Sequence, residues 1–337
     1  MGAVARRVFC SGVRSQSHVV YAASWLRDLL RRTDGSVTLV NLGRGSFLGR
    51  QAVTDADVRR LLPDDPRLTI EQASSLRGRR GERLAYLAIG APGIKPYGRL
   101  LAANPGRAFH VVVTDEGLGT YGTWQTRRDA WLREGGDGWW PTVRALATTG
   151  ARRMLTTQRW ALYERRGGSW AVHDEVAAEF RRHGGVRRAA SPRTAVLLSQ
   201  PWVELGVLDA GAYAAHVDRL AAQASGAGLR FVVRPHPVED PARYAAHEVY
   251  AGPEPAELDA RIVGASVVLG ATSTALLNLR ALYGVPALRV AAPGLEFLDR
   301  DLSADQASLL GQFVGRPVAD DETGGALRAL ATQGGTL

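Results

Sequence analysis

The feature that most constrains this chain is an alternation. Short apolar runs, each closed by Gly, Pro, Ser or Asp, are followed by longer stretches with apolar residues at helical spacing. Residues 8–10 lead through Ser11 and Gly12 into 17–32, where Val19, Val20, Ala23, Trp25, Leu26, Leu29 and Leu30 recur at a 3.6-residue period. Residues 37–41, 84–90 and 110–114 read as further strands, with a short helix through Leu100 and Leu101. Strands this continuously apolar are buried on both faces, which a parallel sheet covered by helices provides. The chain is therefore α/β.

Between residues 126 and 190 the rhythm gives way to Arg- and Trp-rich stretches, interrupted by Gly135-Gly136, Gly167-Gly168 and Gly184-Gly185; this segment is expected to be a helical insert. Beyond it the alternation resumes, with strands at 195–199, 229–234, 266–269 and 287–290 and helices at 210–224, 255–263 and 273–283. Ser191 and Pro192 mark the expected boundary between an N-terminal domain, 1–190, and a C-terminal domain, 191–337. Two Rossmann-like α/β domains facing a central cleft are the expected architecture.

Composition removes several classes. A chain with 45% hydrophobic residues is neither disordered nor collagenous. The single cysteine, Cys10, rules out an internal disulfide and a cysteine-based zinc cluster, and suits a reducing cytosol. The net charge of +9 comes almost entirely from arginine, Lys95 being the only lysine; codon bias and an acidic partner explain it equally well. The uncharged run 262–279 carries Ser266, Thr272, Ser273, Thr274 and Asn278, so it reads as a strand and a helix rather than a membrane span. Arg6 and Arg7 precede only a short apolar stretch, unlike a signal peptide. A cytoplasmic protein is expected, with peripheral association at the inner face of the membrane left open.

Three groups of residues fall where a parallel sheet displays functional side chains, at the carboxyl ends of strands. Asp115-Glu116-Gly117 closes the strand 110–114. Adjacent carboxylates repel, which poises one as a base, and Gly117 allows a tight turn and close approach of a substrate; the plain alternative is an acidic turn. Arg234-Pro235-His236-Pro237 follows the strand 229–234, and the prolines hold His236 at the strand end. An anionic ligand such as phosphate suits that pair of basic residues. Thr272, Ser273 and Thr274 open a helix, where free N–H groups attract an anion, and where a simple N-cap is the alternative.

In order and spacing, the DEG of 115–117, the HP of 236–237 and the Ser/Thr pair 273–274 resemble the motifs of bacterial sialyltransferases and polysialyltransferases of the GT-B fold. The strings DEGLGTY (115–121), SQPW (199–202) and RPHP (234–237) look most like the polysialyltransferase group, and SQSH (15–18) resembles the region after its first strand more weakly. The resemblance spans most of the chain but not 126–190. It implies an inverting, metal-independent transfer of sialic acid or a related nonulosonic acid from its CMP-activated form to a glycan or glycolipid hydroxyl. No cofactor and no nucleic-acid partner are implied, and an anionic polymer is an eligible acceptor. An acceptor hydroxyl is a weak nucleophile and needs a base as it attacks through an oxocarbenium-like transition state. Glu116 is expected in that role, with Asp115 its competitor. His236 and Pro237, with Thr272, Ser273 and Thr274, are expected around the leaving CMP, Gly117 gives the donor room, and Arg234 is a second positive group. Ser17, His18, Tyr121 and Gln200 are expected near the acceptor or cleft.

No paired aspartates offer a divalent-metal site: Asp64-Asp65 lies among prolines and Asp320-Asp321 near the tail. The histidines His18, His173, His183, His216 and His247 lack ligand spacing with one another. Gly43 and Gly45 lack the rest of a dinucleotide fingerprint and read as a turn. Trp139, Trp140, Trp160 and Trp170, among the arginines Arg152, Arg153, Arg165, Arg166, Arg181, Arg182, Arg187 and Arg188, offer a surface for a polyanion or membrane, against ordinary solvated arginines as the alternative. Two other functions fit the same residues. One is a transferase using CDP-glycerol or another nucleotide-activated donor. The other is an arginine-rich binder of RNA or another polyanion, whose affinity would fall steeply with salt.

Overall fold

The computed structural model describes residues 4–42, 53–72, 75–185, 193–292 and 294–333. The chain divides into two compact units, Met1–Glu179 and Phe180–Leu337. The expected boundary at Ser191 and Pro192 lies outside the described residues, as do Gly43, Gly45, Arg187 and Arg188.

The first unit runs β1 (Arg6–Ser11), α1 (Gln16–Arg31), β2 (Val37–Asn41), α2 (Asp55–Leu61), β3 (Leu68–Gln72), β4 (Arg83–Ile89), α3 (Ile94–Ala103), β5 (Phe109–Thr114), a 3-10 turn (Leu118–Tyr121), α4 (Trp124–Arg133), α5 (Trp140–Leu155) and β6 (Gln158–Trp160). The hairpin β7 (Tyr163–Arg166) and β8 (Ser169–Val172) and the helix α6 (Asp174–Gly184) follow, and the division between the units falls within α6. Six parallel strands stand in the order β3-β2-β1-β4-β5-β6. Phe9, Val40, Tyr86, Ala88, Val111 and Val113 pack with Leu100 of α3 in one core cluster. Ser15 caps α1 by accepting from the His18 N–H, which fixes the helix start just after β1.

The second unit comprises β9 (Thr194–Leu198), α7 (Ala210–Gly226), β10 (Arg230–Arg234), β11 (Glu248–Val249), α8 (Ala260–Val263), β12 (Val267–Gly270), α9 (Thr274–Tyr283), β13 (Ala287–Arg289), α10 (Phe297–Arg300), α11 (Ala304–Phe313) and α12 (Thr323–Gln333). Its five strands are parallel, in the order β11-β10-β9-β12-β13. Strand β9 is buried at every residue, as its unbroken apolar run requires. In both sheets strand order reverses beside the first strand, between β1 and β4 and between β9 and β12. Such switch points are where open α/β sheets bind ligands, outside the carboxyl ends of the strands.

The segment 126–190 corrects the expectation of a purely helical insert. It contains β6, the sixth strand of the first sheet, and the β7–β8 hairpin. Gly167 and Gly168, with φ of +56° and +89°, form the two-residue turn between Arg166 and Ser169, so this glycine pair is a hairpin turn and not a break between helices. Trp160 and Trp170 are 3% and 5% exposed core residues, which removes them from any polyanion or membrane surface; Trp139 and Trp140 are exposed. Residues 255–263, expected as one helix, form a short 3-10 turn and α8, separated at Asp259. The uncharged run 262–279 is strand and helix, and among the described residues no helix is long and apolar enough to cross a membrane.

Candidate functional site

At the carboxyl end of β5 the two neighbouring carboxylates meet opposite environments. Asp115 is 1% exposed. Its Oδ2 accepts from the Tyr121 hydroxyl at 2.7 Å and from the Leu162 N–H at 2.6 Å, so it ties the turn after β5 to the chain that follows β6. Oδ1 is buried without a hydrogen-bond partner. Burial pushes this carboxyl up to about 6 despite the two donors. Tyr121 also accepts from the Tyr163 N–H at 3.0 Å, which makes it a strut of the same structure rather than a free hydroxyl.

Glu116 points the other way and is exposed. Its backbone N–H donates to Thr120 Oγ1 at 2.9 Å, and its Oε1 accepts from Arg127 at 3.0 Å. The rest of the carboxylate lies against Gly90, just beyond β4, where a methyl group would collide with it. Gly117 follows with φ +114° and ψ −157°, a conformation essentially closed to other residues. On the α1 side, His18 Nδ1 accepts from the Arg14 N–H at 3.0 Å and Nε2 approaches the Glu116 carbonyl at 3.5 Å. Burial lowers the His18 imidazole to about 4, so it is neutral at pH 7. Ser17 lies half-buried beside it in the first turn of α1.

Three arginines gather at this turn. Arg127 holds Glu116, Arg152 donates to the Thr120 carbonyl at 2.5 Å, and the Arg159 guanidinium lies 5.1 Å from the Tyr121 ring centre. Burial, then the charges of Arg159 and Arg127, lower the Arg152 pKa. The cluster forms because α4, α5 and β6 each place one arginine near the end of β5, a convergence that the sequence does not reveal.

In the second unit a buried carboxylate organises the strand ends. Glu239, 1% exposed, accepts from the Ser199 hydroxyl, from the His236 N–H at 2.7 Å and from the Tyr244 hydroxyl at 2.8 Å. Burial raises its pKa against these donors. The His236 N–H also reaches Ser199 Oγ at 3.0 Å, so the loop after β10 is clasped to the end of β9. The imidazole is lowered to about 4 by burial and is neutral at pH 7. Its Nδ1 faces the Val238 N–H at 3.4 Å, which favours the tautomer with the proton on Nε2, a donor. Pro235 is buried and Pro237 exposed on either side.

Arg234 has a different occupation from the one expected. Only 6% exposed, its guanidinium donates to the carbonyls of Tyr250, Gly252 and Glu254 and meets Asp259 at 3.4 Å, so it braces the chain between β11 and α8. At the end of β9, the Gln200 N–H donates to the Tyr213 hydroxyl at 3.0 Å while Gln200 Oε1 is buried without a hydrogen-bond partner. Ser273 is the residue before α9, and its side chain makes no capping hydrogen bond. Thr272 is half-buried beside it, and Thr274 opens the helix.

Thus the first sheet brings Glu116, His18 and Gly117 together, and the second displays His236, Gln200 and Ser273 at the ends of neighbouring strands. Sequence reasoning missed Thr120, Arg127, Arg159, Glu239 and Tyr244. For Glu239 no local signal existed, because it stands beside Asp240 and close to Arg243 in a polar loop. Among the described residues no group of three or more His, Cys, Asp or Glu is placed to hold a metal ion.

No known family and no curated protein matches the sequence. Solved structures do match the fold. The glycotransferase of kitacinnamycin is 14% identical, with a TM-score of 0.50 over 100% of this chain and 92% of its own. A UGT transferase from Siraitia grosvenorii in complex with UDP is 13% identical, with a TM-score of 0.49 over 98% and 94%. An alpha/beta-galactoside alpha-2,3-sialyltransferase from Photobacterium phosphoreum is 8% identical, with a TM-score of 0.46 over 95% and 100%.

Proposed function

The fold is GT-B, α/β with two Rossmann-like domains, and from it we propose that the protein is an inverting glycosyltransferase that moves a nonulosonic acid, sialic acid or a relative, from its CMP-activated form to a glycan hydroxyl. The observation that carries the reading is Glu116: an exposed carboxylate at the end of β5, oriented by Arg127 and given room by Gly90. Glycosyl transfer from an activated donor requires such a base, and the full-length likeness to a glycotransferase fold supports that reaction class. The ordered DEG, HP and Ser/Thr motifs support the CMP donor.

In this reading the acceptor oxygen attacks the anomeric carbon while its proton passes to Glu116. The bond from that carbon to the CMP phosphate oxygen breaks, and its electron pair leaves with the phosphate. Nε2–H of His236 and the N-terminus of α9 at Ser273 and Thr274 donate to the phosphate oxygens, so the step needs no metal. Gln200 Oε1, a buried acceptor without a partner, is available to an N–H or O–H of the nucleotide. Asp115 holds the turn and takes no proton. The arginines around Glu116 favour an acidic acceptor.

Thermal stability in EDTA with CMP, CDP, UDP, UMP and GDP tests the donor. Selective stabilisation by CMP is expected; a response to UDP or GDP alone overturns the CMP assignment. With CMP-sialic acid, Glu116→Gln is expected to keep the CMP response and lose about 10²–10⁴-fold in transfer, and His236→Ala to lose turnover through the leaving group. Transfer within a few-fold of wild type in either variant refutes the role given to that residue.

A further inference from the structure

At the opposite end of the first sheet from Glu116, a cavity of about 590 Å³ lies between the C-terminal half of α1 and the amino ends of β1, β4 and β5. Arg6 opens β1 and Arg83 opens β4, and the two are register partners, so their side chains leave the same face of the sheet side by side. Both line the cavity. Among the described residues neither has a carboxylate partner, and Arg6 Nε is buried without a hydrogen bond. The next residue shows what this strand does when an arginine only has to be satisfied. Arg7 leaves the other face and meets Glu71 at 2.8 Å and Glu82 at 2.9 Å.

The acids that line the cavity do not supply the missing charge. Asp28 is held by Arg31 and Arg32, each at 3.0 Å, and Glu82 by Arg7 at 2.9 Å and the Arg79 N–H at 2.6 Å. Arg107, whose guanidinium bonds the carbonyls of Arg79 and Glu82, stands at the same cavity and adds to its positive field. Burial and the neighbouring Arg83 both lower the Arg6 pKa, the response of a cation that lacks a counterion. A pair of like charges kept adjacent at a cavity is a receptor for an anion, and guanidinium forks suit the oxygens of a phosphoryl group.

We propose that this cavity binds a small phosphorylated molecule, its phosphoryl oxygens bridging Arg6 and Arg83 and its remainder lying against Trp25 and Leu29 of α1. The volume is in the range of small-molecule sites, roughly 300–1,000 Å³. The ligand is distinct from the reacting substrates, because the six residues of β5, at about 3.3 Å each, separate the cavity from Glu116 by about 20 Å. The site therefore stands independently of the transfer reaction proposed above.

Calorimetric titration of the full chain with inorganic pyrophosphate at low ionic strength tests it. Arg6→Gln and Arg83→Gln are each expected to raise the dissociation constant at least tenfold, whereas Arg99→Gln, which removes an exposed charge on α3, binds as wild type. In anion-free buffer Arg83→Gln is expected to melt at the wild-type temperature or above, since a repulsion is relieved. Absence of binding, or unchanged affinity in both cavity variants, overturns the site. A lower anion-free melting temperature for Arg83→Gln overturns it as well, because the arginine would then be a strut. Citrate binding as tightly as pyrophosphate overturns the preference for a phosphoryl group.

Discussion

Two adjacent acids at the end of one strand hold opposite positions because β5 turns one inward and the other outward. Asp115 is buried and its pKa rises from 3.8 to about 6, with burial the largest cause, whereas Glu116 is exposed and paired with Arg127. This shift has a pH signature. Between about pH 4 and 6 the folded chain keeps a proton on Asp115 that the unfolded chain has released, so Asp115 removes stability as pH rises through that window, and the loss persists above it. Asp115→Asn keeps an acceptor for Tyr121 and Leu162 but has no proton to lose. Its stability relative to wild type is expected to increase between pH 4 and pH 7 by at most about 3 kcal/mol, at 1.36 kcal/mol per pKa unit. His18 and His236 destabilise the fold in acid, since both are lowered to about 4, but they are common to both proteins and cancel in the difference. Denaturant titrations at the two pH values check this, and a gap that does not change with pH would refute the assignment. The sequence left the pair unresolved for a physical reason: the Leu162 N–H that captures Asp115 lies 47 positions away.

At the scale of elements, β9, β10 and the 3-10 turn Pro241–Tyr244 are joined at Glu239. Two prolines restrict the backbone around His236, but the clasp is what attaches that loop to the sheet. Glu239→Ala strips the shared acceptor from the Ser199, His236 and Tyr244 donors and from Arg243 at 3.5 Å, and is expected to destabilise the fold by about 3 kcal/mol, the scale of losing hydrogen bonds to a buried charged group. The same variant should weaken nucleotide binding about tenfold, since His236 would no longer be held. Equilibrium denaturation and a nucleotide titration check both; a loss below about 1 kcal/mol would mean that the prolines suffice. Most strands and helices of both sheets were legible, because their apolar runs and helical spacing are strong local signals. The stretch 126–190 was not. Its arginines mask the inward-facing Tyr163 and Trp170 of the hairpin, and β6 is only three residues long, held as a strand by pairing with β5 rather than by its own pattern. The clasp was hidden likewise, since nothing local marks which of the adjacent acids Glu239 and Asp240 is buried.

At the scale of the whole molecule, the division of labour proposed between the two units makes a demand on each alone. One core cluster of the second unit draws its buried members from Ala195 to Leu327, and no side chain from the first unit belongs to it. The groups proposed to meet the nucleotide, Gln200, His236, Ser273 and Thr274, stand on that unit's sheet. Helix α6 has to be kept whole, because the Tyr283 hydroxyl donates to the Phe180 carbonyl and Arg181 to that of Leu282. A fragment running from Asp174 to Leu337 has the length of an ordinary domain. It is expected to melt in one cooperative transition and to gain about 2.7 kcal/mol from CMP at 100 times its dissociation constant, as the full chain should. A first-unit fragment running to Gly184, which carries Glu116 and keeps the Glu179 partner of Arg27, should fold around its six-stranded sheet and give no nucleotide response. If the fragment from Asp174 folds but ignores CMP while the full chain responds, the nucleotide depends on residues of the first unit, and the separation of base and leaving-group chemistry between the units is wrong.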